Sequence, residues 1–110
     1  MNRDREILLD LIRACELIIQ FCEGLDWQAF SEDLKTQSSV LYQIVIIGEG
    51  VNRLSSSFVD RNPQVPIRQI RGMRNRVVHE YKEVDLEILW QAIQINIPEL
   101  LVTLKRINWD

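Results

Sequence analysis

The chain is poor in the residues that punctuate regular structure, with four glycines and three prolines in 110 positions. That scarcity disfavours a fold of many short strands and tight turns, which needs such residues at its corners. Cys15 and Cys22 are the two cysteines. They fall on one predicted helix, roughly 10.5 Å apart along its axis, which is too far for a disulfide within the chain. They read as small core residues of a reducing compartment. One histidine, His79, with two such cysteines leaves no metal-ligand spacing, so no metal or other cofactor is expected. No apolar run reaches the roughly 18 residues of a membrane span. The start, Asn2-Arg3-Asp4-Arg5-Glu6, is too charged for a signal peptide. A cytoplasmic protein without membrane attachment is expected.

What is present suits a soluble globule, since 46% hydrophobic and 26% charged residues argue against disorder. The length fits one domain, 1–110, around a single core. Helical periodicity dominates. Ile7, Leu8, Leu11, Ile12, Cys15, Ile18, Ile19 and Cys22 recur at three- and four-residue steps, predicting a helix from about Asp4 to a stop at Gly24. Residues 26–30 form a link or short turn, in which Trp27 and Phe30 are expected to plug one end of the core. Ser31-Glu32-Asp33 offers an N-cap for a long helix ending near Phe58 to Arg61. Its inner face is Val40, Leu41, Ile44, Val45, Ile47, Gly48, Val51 and Leu54, with Gly48 allowing close helix approach. The segment from Arg61 to Pro66 is a loop, because its two prolines do not continue a helix. A helix over about 67–82 follows. A last one starts at Asp85 and should kink at Pro98, which removes a hydrogen bond. The predicted fold is all-α, an antiparallel bundle of four main helices.

Net charge is −3, but its distribution is uneven. From Arg61 to Lys82 six basic residues (61, 68, 71, 74, 76, 82) face one acidic residue, Glu80, a local +5 on a remainder of −8. A positive strip on an acidic body suits RNA phosphates, and it also suits a solvated helix face paired with acidic neighbours. On a helical wheel Ile67, Ile70, Val77, Val78 and Tyr81 fall within about 60° of Arg74. Arg71, Lys82, Asn75, Arg68 and His79 form the adjoining polar arc. Arg74 therefore sits in an apolar stripe, although burying its permanent charge unpaired costs several kcal/mol or more. Either it snorkels or pairs with a carboxylate such as Glu49, or the stripe borders a cleft where it meets an anionic ligand. Asn75 and His79, at i and i+4, point to one side of the same helix.

The run Arg74-Asn75-Arg76-Val77-Val78-His79-Glu80-Tyr81 reads Arg-x4-His-x-Tyr with a polar residue directly after the Arg. It resembles the signature of the HEPN superfamily, specifically the short HepT-like toxins encoded with minimal nucleotidyltransferase (MntA-like) antitoxins. Ile46-Ile47-Gly48-Glu49, the Pro63–Pro66 linker and Val84-Asp85-Leu86-Glu87-Ile88-Leu89-Trp90 look like the same family, so the resemblance spans nearly the whole chain. It implies an RNase that needs no metal and whose site forms at a dimer interface.

The residue chemistry fits that implication. Cleaving RNA through its own 2′-hydroxyl needs a base, an acid and charge stabilisation at phosphorus. His79 has the side chain suited to proton transfer near neutrality. Arg74 would hold the phosphate oxygens, and Asn75 would fix the imidazole or bond the scissile phosphate. Arg71, Arg76, Arg68 and Lys82 are cast as contacts to the RNA backbone. One histidine leaves half of the acid–base work unassigned, and a two-fold homodimer supplies the second. The resemblance further implies that Tyr81 is where the partner nucleotidyltransferase attaches AMP, with larger assemblies of toxin and antitoxin left open. Read from the helix alone, Tyr81 is a core-edge tyrosine. Glu49 is assigned a structural role near Arg74. The alternative reading is a non-catalytic partner, scaffold or substrate of a minimal nucleotidyltransferase. A plain helical interaction module leaves Arg74 and the basic strip unexplained. A DNA-binding helix-turn-helix is disfavoured by the length of the Pro63–Pro66 linker.

Overall fold

A computed structural model describes residues 3–79 and 84–108, with 77–79 described in backbone alone. All the regular structure in it is helical. Helix α1 (Arg3–Phe21) buries Ile7, Leu8, Leu11, Cys15 and Ile18 along one stripe. Each such side chain contributes about 1.5–3 kcal/mol on leaving water. The chain then turns through Gly24, whose φ of 80° lies in the left-handed region that suits glycine. Cys15 and Cys22 are buried free thiols, and burial pushes the Cys15 thiol up to about 12.

Helix α2 (Trp27–Ser31) is capped by Asp26, which accepts from the Ala29 N–H at 2.8 Å. Phe30 is fully buried and meets Trp90 at 5.0 Å between ring centroids. Trp27 does not share the expected role of plugging the core. It is 39% exposed, because it stands at the first position of the five-residue helix α2, one turn short of the point where Phe30 packs against Trp90. Gln37, the buried polar residue of helix α3 (Leu34–Arg53), donates from Nε2 to the carbonyls of Phe30 at 2.9 Å and Ser31 at 3.1 Å. It thereby ties the start of α3 to the end of α2. Asp33 caps α3 through the Thr36 N–H.

The long helix ends earlier than its periodicity predicts. Leu54 turns extended, and Ser55 caps a separate helix, α4 (Ser56–Arg61), by accepting from the Phe58 N–H at 3.1 Å. The cause lies in α1. Asp4 accepts from the Ser55 N–H at 2.8 Å and from its Oγ at 2.7 Å, which holds the chain open at that point. The same two bonds keep the Asp4 carboxyl below the usual carboxylate range.

After the proline loop comes helix α5 (Ile67–His79), with Ile70 donating its N–H to the Pro66 carbonyl at 3.0 Å. The expected continuation to Lys82 lies outside the described residues. Asp85 caps helix α6 (Leu86–Gln91) through the N–H groups of Glu87 and Ile88. The predicted kink at Pro98 takes the form of a π-helical turn, Ala92–Asn96, leading into helix α7 (Ile97–Lys105). Pro98 has no N–H, and its ring would collide with the carbonyl four residues back. Widening the preceding turn, with the Ile97 N–H bonded to the Ala92 carbonyl, moves that carbonyl aside while Ile93, Ile97 and Leu100 stay buried.

Helix α3 is the centre of the packing, with α1 on one side and α5 on the other, and α7 lies against α1. Gly50 lets α1 approach α3, since a Cβ there would meet Leu11 Cδ2 at 2.6 Å. Among the described residues no helix is long and apolar enough to cross a membrane.

Candidate functional site

The site is built where α5 crosses α3. Ile67, Ile70 and Met73 are half-buried against the core and anchor α5. Two polar pairs then set its register. Glu49 of α3 faces Arg74 of α5, and Asn52, three residues on, faces Arg71, three residues back. That spacing is the signature of antiparallel neighbours, and it places one helical turn of each element in step with one turn of the other.

The stem of Arg74 lies flat on α3 because Gly48 has no side chain. A Cβ at Gly48 would fall inside contact distance of Arg74 Cβ and Cγ. The guanidinium that this stem delivers is poorly satisfied. Its Nη2 reaches Glu49 Oε2 at 3.5 Å and its Nη1 reaches Asn75 Oδ1 at 3.3 Å. Its Nε is buried and has no hydrogen-bond partner among the described residues. An unmatched buried donor costs about 1–3 kcal/mol. Bonds of 3.3–3.5 Å are at the long limit for N–H to oxygen, where roughly 2.9 Å is usual. The Glu49 side chain is 58% exposed, against 24% for Arg74, so the ion pair is of the weak surface kind. A group carrying two or more well-placed oxygens would satisfy this arginine better than its present neighbours do.

Arg71 is held differently. Its Nε donates to Asn52 Oδ1 at 2.6 Å. Arg68 and Arg76 are exposed on α5. Asn75 is exposed and bonded to Arg74 through its Oδ1. His79 is the last residue of α5, with its backbone described and its side chain outside the description. Tyr81 and Lys82 lie outside the described residues. The structure thus brings Arg74, Asn75, Glu49, Arg71 and Asn52 together on one seam. Asn52 carries no signal in its own position, since a polar residue in the last turn of a helix is ordinary. Only the register between α3 and α5 gives it a partner.

A groove of about 760 Å³ opens between α3, α5 and α7, lined by Ile44, Ile47, Ile70, Met73, Ile97 and Leu100 among others. Among the described residues its one charged lining residue is Glu99, so it offers no cation to a phosphate, and the arginine seam is the better candidate site. Among the described residues no three His, Cys, Asp or Glu side chains gather as a metal ion would need.

Residues 11–107 match the family model described as "Ribonuclease HepT-like". A protein of Caldanaerobacter subterraneus subsp. tengcongensis named "Putative RNase TTE0752" is 33% identical, over 97% of this chain and 96% of its own length. A "Probable ribonuclease HepT" of Thermococcus cleftensis is 33% identical over 87% of each chain. A "Putative RNase MJ0127" of Methanocaldococcus jannaschii is 29% identical over 96% of this chain and 88% of its own. No solved structure matches the chain. With a family match over nearly all of its length and an all-helical bundle to carry it, the chain belongs to the HepT-like ribonuclease family of the HEPN superfamily.

Proposed function

We propose that this protein is a metal-independent RNA endonuclease, the toxin of a toxin–antitoxin pair, whose site is completed at the interface of a homodimer. The observation that carries the reading is Arg74: a permanent cation on the seam of α3 and α5, its Nε unpartnered among the described residues and its outer nitrogens held by two long bonds. Such a group is pre-placed for charge that arrives with substrate. The names of the relatives support RNA as that substrate.

In the reaction a base removes the proton from an RNA 2′-hydroxyl. The 2′-oxygen then bonds to the adjacent phosphorus, the bond from phosphorus to the 5′-oxygen breaks, and an acid protonates that oxygen. The products are a 2′,3′-cyclic phosphate and a 5′-hydroxyl. Arg74 stabilises the charge building on the non-bridging oxygens. His79 exchanges the protons, imidazole being the side chain suited to proton transfer near neutrality. Asn75 orients the arginine or the imidazole. On one helix Arg74 and His79, five residues apart, diverge by about 140° and roughly 7.5 Å along the axis. A two-fold partner supplies a second His79 and a second Arg74. Arg68, Arg71, Arg76 and Lys82 hold the RNA backbone on either side. Tyr81, two turns beyond Arg74, is the site at which a cognate minimal nucleotidyltransferase attaches AMP. The added phosphate and bulk would cover the arginines and block RNA.

The test is direct. Purified protein in EDTA is expected to cut single-stranded RNA and leave 2′,3′-cyclic phosphate ends. Intact RNA under those conditions, together with adenylylation by the partner enzyme, would instead favour a non-catalytic substrate or scaffold for that enzyme.

A further inference from the structure

We infer that Asn52 is a positioning residue for substrate binding. By tethering Arg71 at its Nε, it aims the arginine's terminal nitrogens at the RNA phosphate next to the one held by Arg74. The inference rests on the nuclease reading above and names how the RNA strand lies across the same site.

The two arginines of the seam are held in opposite ways. Arg74 uses its terminal nitrogens, on Glu49 and Asn75, and leaves its Nε bare. Arg71 uses its Nε, in a short 2.6 Å bond to Asn52 Oδ1. No bond from its terminal nitrogens is found among the described residues. A guanidinium offers five N–H donors in a rigid plane. Fixing one edge at Nε therefore sets the direction of the remaining four. Those four are the donors that form a two-pronged contact with a phosphate. Arg71 is otherwise a long, exposed side chain, and holding it in one rotamer in advance removes part of the entropy that binding would cost.

The placement gives the second phosphate its location. Arg71 stands one turn before Arg74 on α5, roughly 5–6 Å away at Cβ, on the side leading toward the C-terminal end of α3. Arg68 continues the line one turn further, and Arg53 is exposed in the last turn of α3. An RNA strand with its reactive phosphate on Arg74 therefore runs along the seam of α3 and α5 toward Arg68. It does not run into the apolar groove on the other side of α5. Neither partner of the tether is part of the core, and Asn52 is in a helix where alanine is at least as well tolerated, so the variants below keep the fold.

The experiment measures steady-state cleavage of a single-stranded RNA by the full chain at several salt concentrations. Asn52→Ala is expected to raise KM about three- to tenfold, the scale of one hydrogen bond, with the loss falling on KM rather than kcat. Arg71→Ala should raise KM at least as much and flatten the dependence of log KM on log salt by about 0.7, the value for one phosphate contact on a single strand. In the Arg71→Ala background, Asn52→Ala should add nothing. A merely structural asparagine would instead give a loss that adds to that of Arg71→Ala. If Arg71→Ala weakens binding and Asn52→Ala matches wild type, or if the two losses add, the inference is overturned while the nuclease reading stands. If the wild-type chain does not cut RNA at all, the nuclease reading falls and this inference with it.

Discussion

Arg74→Ala and His79→Ala are each expected to reduce RNA cleavage at least about a hundredfold while leaving the bundle folded. Removing one proton-transfer group typically costs 10²–10⁴ in rate, and removing one charge-stabilising donor roughly 10²–10³. The stability change for Arg74→Ala should be small. The Glu49 contact is long and its carboxylate is 58% exposed, so losing the pair costs at most about 1 kcal/mol. Deleting the unpartnered buried Nε offsets some of the packing that the stem gave up. Far-ultraviolet dichroism and thermal melts beside the cleavage assay separate the two effects. An Arg74→Ala protein that cuts RNA as wild type does would remove Arg74 from the chemistry.

Gly48→Ala should act on stability and activity together, through geometry alone. In an exposed helix interior alanine gains about 1 kcal/mol over glycine. At Gly48 the new methyl would overlap Arg74 Cβ and Cγ and approach Cδ at 3.2 Å. Those atoms sit at the root of the side chain and cannot swing clear, so α5 must move away from α3. Overpacking of this kind costs about 1–3 kcal/mol, which exceeds the propensity gain, and it shifts the guanidinium from the seam. The expected outcome is a lower melting temperature and at least tenfold slower cleavage, since positioning errors near 1 Å cost on the order of 10²-fold. Gly72→Ala is the matched control. A Cβ at Gly72 meets nothing within 4 Å, so this change should raise stability by up to about 1 kcal/mol. Equal effects at the two glycines would show that the close approach at Gly48 is not what places Arg74.

Much of this was legible in the residues, and the exceptions share a cause. Gly24, Asp33, Pro66 and Asp85 mark element ends by local chemistry, and the structure uses each of them there. The break after Arg53 is different. Ser55 is a modest cap by itself, and what opens the helix there is Asp4, 51 residues earlier. Likewise Pro98 announces a disturbance but not its form. The π-helical turn follows from keeping Ile93, Ile97 and Leu100 in one core. At the site, Arg74 stands out because a charge in an apolar stripe violates a local rule. Gly48 is legible as a point of close helix approach, which the structure bears out against Arg74, whereas Asn52 does not stand out, because its meaning depends on which turn of α5 it faces. Sequence pattern locates chemistry that breaks a rule. It does not say which side chain on the facing helix a neutral residue such as Gly48 or Asn52 holds in place.

One RNA phosphate held between two copies of α5 is the claim on which the rest depends. Its most direct test is the mass in solution of the species that cuts RNA, measured by light scattering across a dilution series with cleavage assayed on the same samples. The account predicts twice the 13.0 kDa chain mass, and specific activity that falls in step with dissociation on dilution. A single chain that cuts RNA at full rate would contradict it.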